Sequence, residues 1–229
     1  MVRTGIAFLL AALALGWSCD TRDASFTAQM APVTLADGTV LHVSRHEVTV
    51  ASWRQCFAEG GCSHMPVSVS AEGQLPVTGV NWFDVNEYLG WANGRARGGL
   101  RLPTLAEWRF AARSFARQKP APLFTDPRLA WAATYGQEAG QSGPPRVGGS
   151  FTTTPEGISD LDGNVWEWTA SCAKPGFDDG QCPAYVAAGE HEATISVFVR
   201  NPAAGGCATG TPPTHLGFRL VADGPEPST

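Results

Sequence analysis

Apolar side chains recur at the spacing of one helix face in three separate stretches of the chain. Each stretch begins behind a residue that can cap a helix: Thr49, Asn81 and Thr104. The third signal is the strongest, because Thr104 and Glu107 have the spacing of a capping box. The pattern therefore predicts three helices, ending near residues 57, 91 and 117. Their apolar faces are Trp53 and Phe57; Trp82, Val85 and Leu89; and Trp108, Ala111, Ala112 and Phe115.

Extended segments are predicted where apolar residues alternate, or form short runs between turn-forming residues. Residues 40–50, 194–200 and 216–221 have this character. Few periodic runs occur elsewhere, since residues 120–157 and 173–190 are dominated by turn-forming residues and aromatics. The pattern predicts one loop-rich globular domain over residues 35–223, followed by a frayed tail at 224–229.

The composition agrees with a loop-rich globular domain. Of 229 residues, 43% are hydrophobic and only 16% are charged, while there are 26 glycines and 17 prolines. Low charge with this apolar content argues against disorder in the middle of the chain. The net charge of −5 implies no basic face, so we do not expect a nucleic-acid partner.

Residues 1–18 have the pattern of an export signal. Arg3 supplies a short positive region, and the apolar run over residues 6–17 is too short to span a bilayer as a mature helix. Residues 12–14 (Ala-Leu-Ala) fit a small-x-small cleavage site. Alternatively, residues 16–18 before Cys19 form a lipoprotein box in which the tryptophan is unusually bulky. We expect a secreted or periplasmic protein with a flexible lead-in over residues 19–34, and membrane contact only through a lipid anchor at Cys19.

Export changes the interpretation of the remaining cysteines, because disulfides are the usual state in an oxidising compartment. Cys56 and Cys62 flank a double-glycine turn and can close a small loop. Cys172 and Cys182 flank a Gly/Asp-rich insertion and can do the same. Cys207 is then either a free thiol or the partner of Cys172 or Cys182. A zinc site is the weaker interpretation, because no CxxC or paired-His spacing occurs.

Five motifs, in order along the chain, carry a family resemblance. They are Glu47–Thr49, Pro76–Trp82 (PVTGVNW), Arg101–Trp108 (RLPTLAEW), Gly157–Trp168 (GISDLDGNVWEW) and Leu216–Arg219 (LGFR). Together they resemble the sulfatase-modifying, formylglycine-generating enzyme superfamily, which has relatives in ergothioneine synthesis and pyoverdine maturation. The resemblance covers roughly residues 35–222. It implies an α+β, C-type-lectin-like fold of the sulfatase-modifying factor type, loop-rich and with little regular structure.

The resemblance also implies a calcium site in the fourth motif. The ligands would be the side chain of Asp160, the carbonyls of Gly163 and Val165, and the carboxylate of Glu167. Calcium prefers six to eight oxygen ligands, of which this segment supplies four or more. The alternative is that the acids cap turns and only order the backbone. We do not expect the family's second calcium site, because residues 131–134 lack acidic and amide ligands.

The catalytic residues of the family are only partly present in this sequence. Formylglycine-generating enzymes oxidise a substrate cysteine with O2 on copper(I) held by two thiolates, and soft thiolates suit that ion. The corresponding region here contains one cysteine, Cys207, displaced towards the closing motif, and Arg200 is at best a remnant of the usual strand start. Copper is therefore not expected. Cys207 is interpreted as a disulfide partner or inert thiol, with a catalytic or metal-binding role as the alternative.

The histidines do not suggest an iron site of the ergothioneine type, which relies largely on an extra N-terminal helical domain. On a strand, His42 and His46 would lie about 13 Å apart, too far for one shared metal. His191 and His215 fall near loops that line the family's substrate cleft, and are either functional or simply polar surface residues. Arg219 is expected to be structural, with a carboxylate partner such as Glu167. Arg101 and Glu107 are also interpreted as structural.

Two functions follow from these observations. The first is an exported oxidase or maturation enzyme that acts on a peptide or cofactor precursor without the copper cysteine pair, and so an oxidoreductase of unusual type. The alternative is a non-catalytic accessory or binding domain of lectin-like fold that assists an exported partner protein. The sequence leaves open whether the protein is an enzyme.

Overall fold

A computed structural model describes residues 29–66, 72–96, 99–115, 143–174, 176–177, 181–204 and 213–224. Two four-stranded sheets and three helices form the domain. The strands are β1 (Met30–Thr34), β2 (Val40–Ser44), β3 (Leu100–Arg101), β4 (Trp166–Cys172), β5 (Ala184–Ala188), β6 (Ala193–Ser196), β7 (Leu216–Gly217) and β8 (Val221–Asp223). The helices are α1 (Val50–Ala58), α2 (Trp82–Arg95) and α3 (Leu105–Ala111).

All three predicted helices form behind their predicted caps. Thr49 accepts a hydrogen bond from the Ser52 N–H at the start of α1. Asn81 with Asp84, and Thr104 with Glu107, form complete capping boxes at the starts of α2 and α3. Helix α2 runs four residues past its predicted end. Helix α3 gives way at residue 112 to a 3₁₀ turn over residues 112–115.

The first sheet has the strand order β1-β2-β8-β3, and all of its pairs are antiparallel. The lead-in predicted over residues 19–34 is therefore wrong at its end, because residues 30–34 form an edge strand. The reason is a period-2 pattern, in which Ala31 and Val33 are buried while Pro32 and Thr34 point to solvent. The prediction for residues 40–50 is also too long, since β2 ends at Ser44 and α1 already begins at Val50.

The second sheet has the order β6-β5-β4-β7, with β7 parallel to β4 and the other pairs antiparallel. Residues 216–221, predicted as one strand, form parts of two. Residues 216–217 pair with β4, while Val221 pairs with β2 and β3 in the other sheet. The chain thus crosses between the sheets at residues 218–220, and Arg219 lies at the crossing point.

Two apolar clusters pack against these sheets. The larger one surrounds Trp53, Trp168 and Phe218, none of which is exposed to solvent. The smaller one packs Trp108 of α3 against strands of the first sheet. Buried indoles keep their N–H groups paired: Trp53 donates to the His64 carbonyl at 2.9 Å and Trp168 to the Val80 carbonyl at 3.1 Å. In the described part of the chain, no helix is long and apolar enough to cross a membrane.

The capping box of α3 gives a stability prediction. The Thr104 hydroxyl accepts from the Glu107 N–H at 3.2 Å, and the Glu107 carboxylate accepts from the Thr104 N–H at 2.7 Å. Thr104→Ala removes the first bond and should lower the free energy of unfolding by about 1 kcal/mol. Thr104→Ser keeps the hydroxyl and should lose much less. Urea unfolding monitored by tryptophan fluorescence would compare them, and equal losses in the two variants would contradict the capping role.

Candidate functional site

A buried ion pair lies where the chain crosses between the two sheets. The Arg219 guanidinium donates to both carboxylate oxygens of Glu167, through Nε at 2.9 and 2.7 Å and through Nη2 at 2.6 Å. Each side chain is only 1% exposed. Because Nε carries one hydrogen, its two contacts are a single bifurcated hydrogen bond, and the Trp108 indole is the third N–H donor to this carboxylate, at 2.7 Å. Glu167 is therefore the partner of Arg219, whereas Glu107 pairs with Arg101.

The acids of the Asp160–Trp168 segment order a neighbouring loop, residues 146–152. The two Asp160 oxygens accept from the backbone N–H groups of Gly149 at 2.5 Å and Phe151 at 2.8 Å. Asp162 accepts from the N–H and hydroxyl of Thr152. Asp160 also has a left-handed backbone, with φ at 68°. This arrangement matches the alternative in which the acids cap turns.

Asn164 completes this loop with three hydrogen bonds. Its carbonyl oxygen accepts from the Arg146 N–H at 2.8 Å, and its amide nitrogen donates to the Arg146 carbonyl at 3.1 Å. The same nitrogen donates to Glu47 Oε1 at 3.0 Å. Like Asp160, Asn164 has φ at 68°, a conformation that short polar side chains tolerate well. One side chain thus clamps the loop and connects it to the buried Glu47.

The predicted calcium ligands do not fit an ion in this arrangement. Three N–H groups, two on Arg219 and one on Trp108, are directed at the Glu167 carboxylate, and each of its oxygens accepts from two of them. The Asp160 carboxylate already accepts two backbone N–H groups. Without Glu167, the set falls well short of the six to eight oxygens that calcium prefers. Among the described residues, no three or more His, Cys, Asp and Glu side chains are arranged to hold a metal ion.

Glu47 is a third buried carboxyl beside this pair. Its Oε2 has no hydrogen-bond partner among the described residues. Burial raises the pKa of Glu47 to about 8, an effect that Arg219 opposes and the nearby Glu167 reinforces. For Asp160, burial alone would raise the pKa. The nearby His46 imidazole, whose Nδ1 lies 3.8 Å from Oδ2, and hydrogen bonds from two backbone N–H groups instead hold the pKa below its ordinary value.

Glu47 makes stability depend on pH. Between the ordinary pKa of 4.5 and the folded pKa of about 8, the folded protein keeps a proton that the unfolded chain has released. Stability should therefore fall as pH rises through this window, and level off above it. Glu47→Gln cannot ionise and keeps a similar shape, so it should flatten this decline. Urea midpoints at pH 5, 7 and 9 would measure the slope.

A matched control for this prediction is Glu192→Gln, since Glu192 is an exposed carboxylate on the protein surface. It should keep the wild-type slope. If Glu47→Gln also kept that slope, the proton on Glu47 would not be the cause of the pH dependence.

A cleft of about 360 Å³ lies on the side of the molecule formed by the loops around α2, β6 and β7. Burial lowers the pKa of His215, against a smaller opposing effect of a hydrogen bond with the Gly143 backbone. The hydroxyl of Thr214 is buried without a partner among the described residues. No carboxylate lines the cleft within the described part of the chain. The lining residues are His64, Thr78, Gly79, Arg200, Asn201, Pro202, Thr214, His215 and Leu216.

Arg200 connects this cleft to an exposed aromatic pair. Its Nε and Nη2 donate to the buried Asp84 carboxylate at 2.7 and 2.8 Å. Beside Asp84 in sequence, Phe83 is 50% exposed, and its ring packs against that of Phe198, which is 74% exposed, with centroids 5.4 Å apart. The Trp82 N–H donates to the Val197 carbonyl, which holds the two segments together.

Sequence reasoning missed both the Phe83–Phe198 pair and the role of Arg200. A signal was present, because Ile195 and Val197 are the inward positions of an alternating segment, which places the large apolar side chain of Phe198 at an outward position. No local pattern connects Arg200 with Asp84, since 116 residues separate them in sequence.

The predicted cysteine pairs Cys56–Cys62 and Cys172–Cys182 both form disulfides. Cys207 lies outside the described residues, as does Cys19. The predicted histidines do not come together: His215 lines the cleft, whereas His191 packs edge-on against Trp166, with ring centroids 5.2 Å apart. His42 is buried on β2, and His46 lies beyond the end of that strand, near Asp160.

Comparison with known proteins finds one family model. The sulfatase-modifying factor enzyme 1-like domain matches residues 16–224. A mouse protein named inactive C-alpha-formylglycine-generating enzyme 2 is 34% identical over 140 residues, which cover 58% of this chain and 42% of that protein. The formylglycine-generating enzyme of Mycobacterium tuberculosis is 28% identical over 226 residues, covering 77% of this chain and 69% of the enzyme. The matches thus span about two fifths of the mouse protein and of its bovine counterpart, 42% and 39%.

Two solved structures share the fold at low sequence identity. The Treponema denticola variable protein 1 superposes with a TM-score of 0.54 at 18% identity, covering 85% of this chain and 95% of that one. PvdO from Pseudomonas aeruginosa gives 0.53 at 20% identity, covering 81% of each chain. These likenesses confirm the predicted loop-rich α+β fold.

Proposed function

Because this chain belongs to the sulfatase-modifying factor enzyme 1-like family, we propose that it uses the family fold as a non-catalytic, polypeptide-binding domain. The observation that carries the proposal is the link between the 360 Å³ cleft and the exposed Phe83–Phe198 pair: Arg200 lines the cleft and bonds Asp84, the neighbour of Phe83 in sequence. A cleft of this size takes one or two side chains. The aromatic pair at its side extends the binding surface along a polypeptide.

The distribution of cysteines supports binding over copper-dependent oxidation. Four of the six cysteines are consumed in the disulfides Cys56–Cys62 and Cys172–Cys182. Disulfide sulfurs are not thiolates, so these four cannot ligate copper(I) while they stay oxidised. Only Cys207 remains in the C-terminal region that supplies the copper pair in active relatives. The name of the mouse relative, which describes it as inactive, agrees with this interpretation.

The chemistry of the cleft suits a polypeptide. Its lining combines the imidazoles of His64 and His215 with the guanidinium of Arg200, beside apolar Pro202 and Leu216. The bonds to Asp84 use Nε and Nη2, and the Arg200 side chain is 46% exposed, so we expect its guanidinium to reach a peptide carbonyl or carboxylate.

The aromatic pair favours apolar side chains over sugars. Neither Phe83 nor Phe198 has a polar group with which to orient a sugar hydroxyl, whereas both offer apolar area to a Leu, Pro or aromatic residue. The two disulfides are compatible with an extracellular protein. We therefore propose that the partner is an exported polypeptide, and that the protein itself is secreted or periplasmic, either free or anchored through Cys19.

A displayed library of random dodecapeptides tests the binding function. The wild type should enrich peptides that combine apolar and hydrogen-bonding side chains. Replacing both Phe83 and Phe198 by Ser should weaken the selected peptides at least tenfold, since buried aromatic anchors dominate such interfaces. Arg200→Gln should weaken them as well. Affinities would be measured by fluorescence polarisation.

The matched control is Phe177→Ser, because Phe177 is 41% exposed but belongs neither to the cleft lining nor to the Phe83–Phe198 pair. It should bind like the wild type. Selection of no peptides, together with specific binding on a glycan array, would refute the polypeptide assignment.

Oxygen consumption separates binding from catalysis. The protein with its two disulfides intact, supplied with copper(I) and a cysteine-containing sulfatase-type peptide, should show no thiol-dependent O2 uptake above a no-protein control. The physical reason is that Cys207 alone offers one thiolate where two are needed. Uptake that saturates with peptide and disappears in Cys207→Ser would show that the domain is an oxidase.

A further inference from the structure

We propose that Arg219 is a built-in cation for the Asp160–Trp168 segment, so that this domain orders the segment and its neighbouring loop without calcium. This inference is independent of the polypeptide-binding function. It concerns a place where the family resemblance implies a metal ion and the side chains present do not fit one.

The surroundings of the Arg219 guanidinium resemble those of a hard cation. Four oxygens accept hydrogen bonds from it: both carboxylate oxygens of Glu167, the Ser44 carbonyl at 3.1 Å and the Ser159 carbonyl at 3.0 Å. Carboxylate and carbonyl oxygens are also the ligands that calcium takes in proteins. The guanidinium thus places a permanent positive charge within an oxygen shell, only 1% exposed to solvent.

A calcium ion at the predicted position would compete with this arrangement. Ligation by Glu167 would compete with hydrogen bonds from Arg219 or Trp108, because each carboxylate oxygen already accepts from two N–H groups. The ion would also repel the guanidinium, because this charge is buried and is not screened by water. Both effects weaken metal binding.

The loop that an ion would organise is already organised by hydrogen bonds. Backbone N–H groups of Gly149 and Phe151 satisfy Asp160, and Asn164 bonds both the N–H and the carbonyl of Arg146. A donor N–H can neutralise a carboxylate in part, as a cation does. The loop therefore needs no further ligand to hold its described conformation.

Backbone geometry explains how Arg219 reaches this position. A Cβ on Gly217 would lie 2.8 Å from the Val77 carbonyl oxygen, so only glycine lets β7 approach that closely. The strand can then pair with β4 at Glu167, directly opposite Gly217. Two residues after Gly217, Arg219 donates hydrogen bonds to the same glutamate, Glu167.

Metal titration of the full wild-type chain is the first test. Thermal unfolding in 5 mM CaCl2 and in EDTA should give the same Tm within about 1 °C, whereas a site filled a hundredfold above its Kd would raise Tm by roughly 5–10 °C. Terbium luminescence is a second readout, since Trp108 contacts Glu167 and would sensitise an ion bound there. We expect no saturable signal. A calcium-dependent rise in Tm that Glu167→Gln abolishes would overturn the proposal.

Removal of the built-in cation is the second test. Arg219→Gln leaves the Glu167 carboxylate buried without its positive partner, so Tm should drop and calcium should now raise it. The double variant Glu167→Gln/Arg219→Gln is the matched control, because it lacks both charges and should not respond to calcium. A folded Arg219→Gln protein that ignores calcium would also contradict the proposal. If that variant does not fold, the wild-type titration still decides.

Discussion

The ion pair between Arg219 and Glu167 is the contact on which the rest of this domain depends. Arg219 lies where the chain passes from one sheet to the other, and Glu167 lies on β4 at the centre of the second sheet. Removing one partner of a buried pair typically costs about 3–5 kcal/mol, because the other charge is left without compensation. Through Trp108, the same carboxylate also binds α3. Three structural units are therefore held in register at one carboxylate.

Further polar contacts connect the segment around Glu167 to the neighbouring loop, residues 146–152. Asn164, three residues before Glu167, holds both residue 146 and the buried Glu47. Asp160 fixes two further backbone groups in the same loop. The polar network is expensive to bury, and its groups are almost all satisfied. Among the described residues, Oε2 of Glu47 and Nδ1 of His46 have no hydrogen-bond partner, and for the Glu47 oxygen a bound proton lowers the cost of burial.

The helices could be predicted from local signals in the sequence, whereas the pairing of residues far apart in the chain could not. A helix cap acts over three residues, so the start of each helix could be predicted from its capping residue: Thr49, Asn81 or Thr104. The two disulfides could be predicted because their cysteines are close in sequence. The division of residues 216–221 between two sheets has no local signature, since it depends on partners far away in the chain. The edge strand at residues 30–34 was hidden by its proximity to a signal-like segment. Likewise, no spacing rule relates Arg200 to Asp84, so the cleft and the aromatic pair could be recognised only from the structure.

The residues that identify the family and those that line the cleft belong to different parts of the molecule. The segments around Glu167 and Arg219 build the scaffold through the ion pair and the caps that they form. The cleft is instead lined by loop residues such as His64, Arg200 and His215. Loops can vary without disturbing a core that is held at one central contact. A chain of this family can therefore keep its fold-defining motifs while its loops differ. For that reason, the motifs establish the fold of this protein, and its function has to be argued from the loops.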